Sequence, residues 1–466
     1  MPSVFTYEFN TPAFKGKTSF NTGLYVNGQF VDGSDKTTID VVNPTNGQVI
    51  TKISEATPKD VDLAVNAAET AFEKSWGLNV PGNQRGELLY KLAQLMERNF
   101  EELVAIEALD NGKTYSWATE VDIPASIETI RYYAGWADKV HGKTIETSES
   151  KLAYTRHEPI GVVGQIIPGN FPLLLFTWNI APALATGNCI IMKPSEFTPL
   201  TAIRMCGLIR EAGFPPGVVN IVTGYGNTVG AAISSHMRIE KVAFTGSTLV
   251  GRKIMESAAK NNLKRLTLVL GGKSPNIIYD DADLDKAVNW TSYGIFWNHG
   301  QTCGAGSRIF VQSGIYDKFL AKFMEKAKSI KVGDPFTPGV DQGPQRIMGY
   351  IDSGKQDGAT VHFGGERVGN EGYFISPTIF TNVKPEMKIV KEEIFGPVGV
   401  VIKLDTEEVY GLAAAAFTQN LNRAIETAHK LKAGTTSSGI GRELGEYALD
   451  NYTNIKAVHV NLGHQM

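Results

Sequence analysis

The chain has 466 residues, 42% hydrophobic and 20% charged, with 45 Lys and Arg against 48 Asp and Glu for a formal net charge of −3. That length supports two or three domains with full cores, and the lack of a basic excess argues against nucleic acid as a partner. Three cysteines, Cys189, Cys206 and Cys303, form neither a CxxC pair nor a Cys/His cluster at metal-ligand spacing, so the expectation is a reducing compartment and no structural metal. The first residues lack the basic start and apolar core of a signal peptide. The most apolar region, 161–192, is interrupted by Pro168, Asn170, Pro172, Pro182 and Asn188, too irregular for a bilayer span. A soluble cytoplasmic protein, acting on small molecules away from membranes, is expected.

In chain order, the first strong signal is a helix from Thr57, with Thr57 as N-cap, Pro58 at the first position, Asp60 in the first turn, and Val61, Ala64, Val65, Ala68 and Phe72 on one face. A second helix is expected to carry Leu88, Leu89, Leu92, Leu95, Met96, Phe100 and Leu103. Both read as packing helices. Beyond Gly161, short β-rich runs at 162–167, 189–192, 218–222, 242–244 and 266–270 alternate with helical segments, which implies a mostly parallel sheet covered on both faces. Ligands bind such sheets beyond the carboxyl ends of the strands. The pair Gly271-Gly272 marks a boundary, after which strands at 276–279, 309–311 and 398–403 form a second alternating region.

Cys303 lies in the run Gly300-Gln301-Thr302-Cys303-Gly304-Ala305-Gly306, directly after Phe296-Trp297-Asn298-His299. Small neighbours, free backbone N–H groups and room for an approaching carbonyl are what a nucleophilic thiol needs. Residues 242–251 read as a strand, a glycine turn and a helix start; the N–H groups there favour a phosphate, and Gly246 lets the backbone come close. An ordinary turn uses glycine in the same way. Lys193 and Glu196 follow an apolar strand at the same sheet edge. A carboxylate there accepts both hydroxyls of an adenosine ribose and repels a 2′-phosphate, favouring NAD over NADP; the plain alternative is a solvated pair at a strand end. Asn170, between Pro168 and Pro172, offers an amide that would form a two-donor oxyanion hole with the backbone N–H of Cys303, unless it serves only a turn. Glu393 and Phe395, beside Gly396-Pro397, suit a second ribose and a flat ring, and a surface charge cluster fits the same residues.

Residues 168–170, 193–196, 244–251, 270–274, 300–306 and 392–397 occur in the order and spacing of the aldehyde dehydrogenase superfamily. The chain resembles that superfamily over almost its whole length, the tail 441–447 included, and is most similar to its fungal, broad-specificity, NAD-dependent members. The resemblance implies an α/β protein of the aldehyde dehydrogenase fold. A Rossmann-like NAD-binding domain would occupy 1–136 and 160–271, an α/β catalytic domain 272–448, and a small β oligomerisation element 137–159 and 449–466. It also implies a homodimer or homotetramer and a small-molecule aldehyde as substrate. By position, Cys303 matches the nucleophile and Asn170 the oxyanion donor. Lys193 and Glu196 match the adenosine-ribose contacts, residues 246–251 with Gly246, Ser247 and Gly251 the phosphate turn, and Glu393 with Phe395 the nicotinamide-ribose contacts. Ile167, Gly226, Gly230 and Gly271 complete the implied cofactor set. The implied chemistry is thioester formation on Cys303 followed by hydrolysis to a carboxylic acid.

The chain departs from the family where hydrolysis needs a base. The family's Glu before Leu-Gly-Gly-Lys is replaced by Val269. A positioned base is worth roughly 10²–10⁴ in rate, about 3–5 kcal/mol of barrier, so deacylation is expected to be crippled while acylation survives, with Glu443 a substitute through a relayed water. Gly169 stands where a Trp normally precedes Asn170, and is expected to loosen the peptide that holds it. Asn179 replaces a Lys after Trp178 and removes a cation that favours the thiolate. Trp178 and Trp297 are expected as walls of the substrate pocket, the plain alternative being ordinary packing. The chain is short at three joins, around 343–346, 408–411 and 435–438, which would leave strand edges and the substrate wall rebuilt or open. Two alternatives follow: coenzyme A as acyl acceptor, and a catalytically silent NAD-binding homologue.

Overall fold

Thr57 starts the first helix as its sequence requires: its N–H donates to the Asp60 carboxylate at 2.8 Å, Pro58 opens Pro58–Lys74, and Val61, Ala64, Val65, Ala68 and Ala71 are buried. Phe72 is only partly buried against the same core. The expected second helix is two. Asn99 breaks the run between Gly82–Arg98 and Phe100–Asn111, and its side-chain amide donates to the Leu95 carbonyl at 2.7 Å, giving a helix-end carbonyl a partner. The computed structural model describes residues 2–344, 347–404, 410–433 and 438–463.

An eight-stranded sheet forms in the spatial order Gly439–Ile440, Arg265–Leu270, Lys241–Gly246, Val162–Ile166, Cys189–Lys193, Val219–Ile221, Leu24–Val26, Gln29–Val31. The five from Arg265–Leu270 to Val219–Ile221 are parallel. Val162–Ile166 and Cys189–Lys193 are buried at every position, as strands covered on both faces must be. The chain runs outward from Val162–Ile166 to one side, then returns to lay Lys241–Gly246 on its other side. That reversal opens a crevice at the carboxyl ends of these two strands.

The second sheet runs Thr360–Phe363, Thr378–Thr381, Val398–Leu404, Arg308–Gln312, Pro275–Ile278, Ala415–Phe417, parallel except for Thr360–Phe363. Residues 271–274 link the two sheets, and the Cys303 loop leads into Arg308–Gln312. A third, antiparallel sheet joins Thr144–Ser148, Lys151–Pro159 and Thr453–Asn461, with Lys151 paired to Asn461 and Pro159 to Thr453. Among the described residues no helix is long and apolar enough to cross a membrane. Residues 345–346, 405–409 and 434–437, at the three joins expected to be short, lie outside the described residues.

Candidate active site

Helix Leu284–Phe296 ends in a sharp reversal in which Asn298, His299 and Gly300 have φ of 47°, 57° and 71°. For the two residues with side chains this left-handed conformation costs energy and persists only where surrounding contacts impose it. Glycine is required at 300, since a Cβ there would lie 2.1 Å from the Gly396 carbonyl oxygen. His299 is buried, accepts the Gly343 N–H at Nε2 at 2.8 Å, and is pushed down to about 3 by burial and by Lys113, so it is neutral. The reversal presents Cys303 half-buried at the end of the loop.

Asn170 is bound into the same loop. Its Nδ2 donates to the Gln301 carbonyl at 2.9 Å, while Asn298 Nδ2 donates to the carbonyls of Asn170 and Gln301 at 3.1 and 3.2 Å. Gly169 was expected to loosen this peptide. Instead, Asn111 Nδ2 donates to the Gly169 carbonyl at 2.6 Å and Lys113 Nζ to the Asn170 carbonyl at 3.2 Å. Lys113 is buried, pairs with Asp122, and lies 3.7 Å from Glu107. These hydrogen bonds from Asn111 and Lys113 hold the Gly169–Asn170 peptide in place.

Burial pushes the Cys303 thiol up to about 11, and the charges of Glu393 and Glu443 add to the rise. No cation offsets them at position 179, where Asn179 instead donates from Nδ2 to Glu443 Oε1 at 3.2 Å. Thr245 Oγ1 donates to the same oxygen at 3.3 Å, and burial raises the Glu443 carboxyl to about 7. Glu393 is no surface charge. It is half-buried, its Oε1 accepts the Gly272 N–H at 3.3 Å, and a methyl on Gly271 would lie 1.9 Å from its Oε2. Burial raises it to about 7, opposed by the Gly272 hydrogen bond and by Lys273.

Of the residues expected to hold the cofactor, Ile167, Lys193, Glu196, Gly246 and Gly271 lie at or just after the carboxyl ends of the parallel strands. Lys193 is 2% exposed, so it is not a solvated pair; its Nζ donates to Glu196 Oε2 at 2.9 Å and to the Pro194 carbonyl at 3.0 Å. Burial lowers the Lys193 pKa while Glu196 opposes this. Gly230 approaches Lys193, with its Cβ position 3.9 Å from Lys193 Cδ, and Gly226 has open space around it. Ile167 follows the central strand, and its N–H donates to the Lys193 carbonyl at 3.1 Å. Gly246 ends its strand, and Ser247 caps helix Thr248–Lys260 by accepting the Val250 N–H at 3.3 Å. Gly251 faces inward, where a Cβ would meet Leu270 at 2.6 Å, so its smallness lets helix and strand pack. Glu196, Gly169, Asn170, Gln301 and Phe395 line one cleft of about 490 Å³. Open glycines at a switch-point crevice, a buried Lys–Glu pair and a helix N-terminus fit a dinucleotide.

Sequence reasoning missed Lys113, Asn111, Asn298 and Thr245. Each is an ordinary polar residue on its own element, and its part in the site exists only once distant segments meet. Trp297 contacts Phe171 at 5.3 Å, stacks on Tyr293 at 5.6 Å, and lines a cavity of about 760 Å³ with Trp117, Trp290 and Tyr293. Trp178 is partly buried against the core of the first sheet.

The chain matches the aldehyde dehydrogenase family over residues 30–458. It is 67% identical to an aldehyde dehydrogenase of Agaricus bisporus over 500 aligned positions, covering 100% of each. Those 500 positions exceed the chain's 466 residues, so that relative carries segments absent here. It is 50% identical to aldehyde dehydrogenase 1A1 of Gallus gallus, covering 95% of this chain and 94% of that one. An NAD+ complex of aldehyde dehydrogenase from Bacillus cereus superposes with a TM-score of 0.92 at 47% identity, covering 95% of this chain and 96% of that one. The chain belongs to the aldehyde dehydrogenase family.

Proposed function

We propose that this protein oxidises a small or medium aldehyde to the carboxylic acid through a thioester on Cys303. The observation that carries the reading is the Asn170 amide, tied at 2.9 Å to the backbone of the loop that presents the half-buried Cys303, beside the cleft that Glu196 and Phe395 also line. The deprotonated sulfur adds to the aldehyde carbon. Asn170 Nδ2 carries two hydrogens and gives one to Gln301, which leaves the second for the oxyanion, with a backbone N–H of the Cys303 loop as the other donor. Bound NAD supplies the hydride acceptor. Water then attacks the thioester, the C–S bond breaks, and the acid leaves.

For the cofactor, Glu196 and Lys193 would hold the adenosine ribose, with Ile167, Gly226 and Gly230 around them. Gly246 and Ser247 would hold the phosphates, with Gly251 packing the helix behind them. Glu393, Phe395 and Gly271 would face the second ribose and the nicotinamide. Residues 1–136 and 160–271 are read as the cofactor domain, 272–448 as the catalytic domain, and 137–159 with 449–466 as the oligomerisation element. A homodimer or homotetramer through the third sheet accords with its exposed Ile145, Leu152, Ile455 and Val460. The buried, unlinked Cys189 and Cys206 suit the cytoplasm.

Val269 makes deacylation the slow step. Mixing enzyme, aldehyde and NAD is therefore expected to release one NADH per protomer rapidly, followed by a slower phase, and Cys303→Ala is expected to abolish both. A burst that survives in Cys303→Ala sinks the reading. Acceleration of the slow phase by coenzyme A would favour that thiol as acceptor, and tight NAD binding without any burst would make the chain a silent homologue.

A further inference from the structure

Thr245 and Val269 are Cα partners in the parallel ladder, so their side chains point to the same face of the sheet. Valine leaves that face without a proton acceptor at 269, and a carboxylate arrives there by another route. Gly439 pairs with Val269 from the antiparallel side, at a φ of 114°, with its Cβ position 1.9 Å from the Leu268 carbonyl oxygen, so only glycine fits. Four residues on, Glu443 reaches back over the same strands. Its Oε1 is anchored by Thr245 Oγ1 and Asn179 Nδ2, while its Oε2 is buried with no hydrogen-bond partner among the described residues. A buried carboxylate oxygen without a donor is costly, and a water held there would satisfy it.

Among the described residues, the carboxylates whose charge raises the Cys303 pKa are Glu393 and Glu443. Glu393 accepts the Gly272 N–H and, under the proposed function, is committed to the second ribose of the cofactor, and His299 is neutral with Nε2 already accepting from Gly343. We propose that the Glu443 carboxylate is the general base that deacylates the Cys303 thioester, replacing the base missing at Val269. This rests on the reading of Cys303 as the acylated nucleophile. Glu443 Oε2 takes a proton from the water as its oxygen bonds the thioester carbon. The C–S bond then breaks, the sulfur leaves as thiolate and recovers that proton, and the acid departs, with no change of oxidation state. One oxygen anchored by a hydroxyl and an amide and the other free is the arrangement a proton acceptor needs.

Among the described residues, Thr245 and Asn179 bond to Glu443, and its charge together with burial pushes up the thiol of Cys303 and the phenols of Tyr133 and Tyr452. None of these is a cation, so its carboxyl stays near 7, and deacylation should rise with pH through that value as the base loses its proton.

An activated aryl ester, p-nitrophenyl acetate, tests this without NAD. The parent should release one phenolate per protomer and then turn over slowly, with a pH limb near 7. In Glu443→Gln the first phase should keep its amplitude, steady turnover should fall by roughly 10²–10⁴-fold, the limb should vanish, and acetylated protein should accumulate by intact mass. Glu443→Asp, which keeps a carboxylate, should recover part of the rate and the limb, which a merely structural side chain would not do. Turnover of Glu443→Gln within a few-fold of the parent, or a parent that stalls completely after one turnover, overturns the proposal and leaves the Cys303 reading standing. A parent with no first phase overturns both.

Discussion

The side-chain nitrogen of Asn170 lies 2.9 Å from the carbonyl oxygen of Gln301, two residues before Cys303. This bond joins the carboxyl end of the central strand of one sheet to the loop that enters the other. It fixes where a carbonyl attacked by the sulfur would find its donor.

Asn170→Ala removes that bond and the oxyanion donor together. The rate of the NADH burst should fall by roughly 10²–10³, while NAD affinity, measured by titration without aldehyde, should change little. An unchanged burst rate would remove Asn170 from the chemistry.

Lys113→Met should destabilise the fold. Lys113 is buried with Asp122 and close to Glu107, whose carboxyl burial already raises to about 7. Loss of the ammonium leaves these acids without a counter-charge, which costs about 3–5 kcal/mol. The check is the unfolding midpoint in denaturant, and a change below about 1 kcal/mol would contradict a paired, desolvated cluster.

The thiol of Cys303 should be slow to alkylate at neutral pH. With its pKa raised to about 11, the thiolate fraction grows about tenfold per pH unit below that value. Iodoacetamide labelling followed by mass should rise accordingly from pH 7 to 10. Glu443→Gln removes one of the charges responsible and should speed labelling at a fixed pH; a slower reaction would show that the two groups are not in electrical contact.

Glu196→Gln leaves Lys193 buried without its partner at 2.9 Å and removes the charge that repels a 2′-phosphate. NAD affinity should fall by about 1–3 kcal/mol and NADP should gain relative to NAD. Parallel titrations with the two dinucleotides measure this, and an unchanged ratio would mean that Glu196 does not reach the ribose.

Strands with continuous apolar runs, such as Cys189–Lys193, were legible because burial on both faces leaves a local signature. The strand, turn and helix around Gly246 were legible because glycine at a strand-to-helix junction marks a turn. The split at Asn99 was not, because the apolar spacing continues across it and a single side-chain amide ends the helix.

What the linear order of residues determined by itself was the inventory: two alternating strand and helix regions, a thiol among small residues, a Lys–Glu pair after a strand, and a valine directly before Leu270-Gly271-Gly272-Lys273. Tertiary structure decided which groups meet. Pairing of Gly439 with Val269 delivers Glu443 to Thr245, and packing of Lys113 beneath Asn170 steadies a peptide that glycine alone would free. Periodicity reports only a segment's own burial, whereas these encounters depend on strand order and register between residues up to 198 apart in the chain.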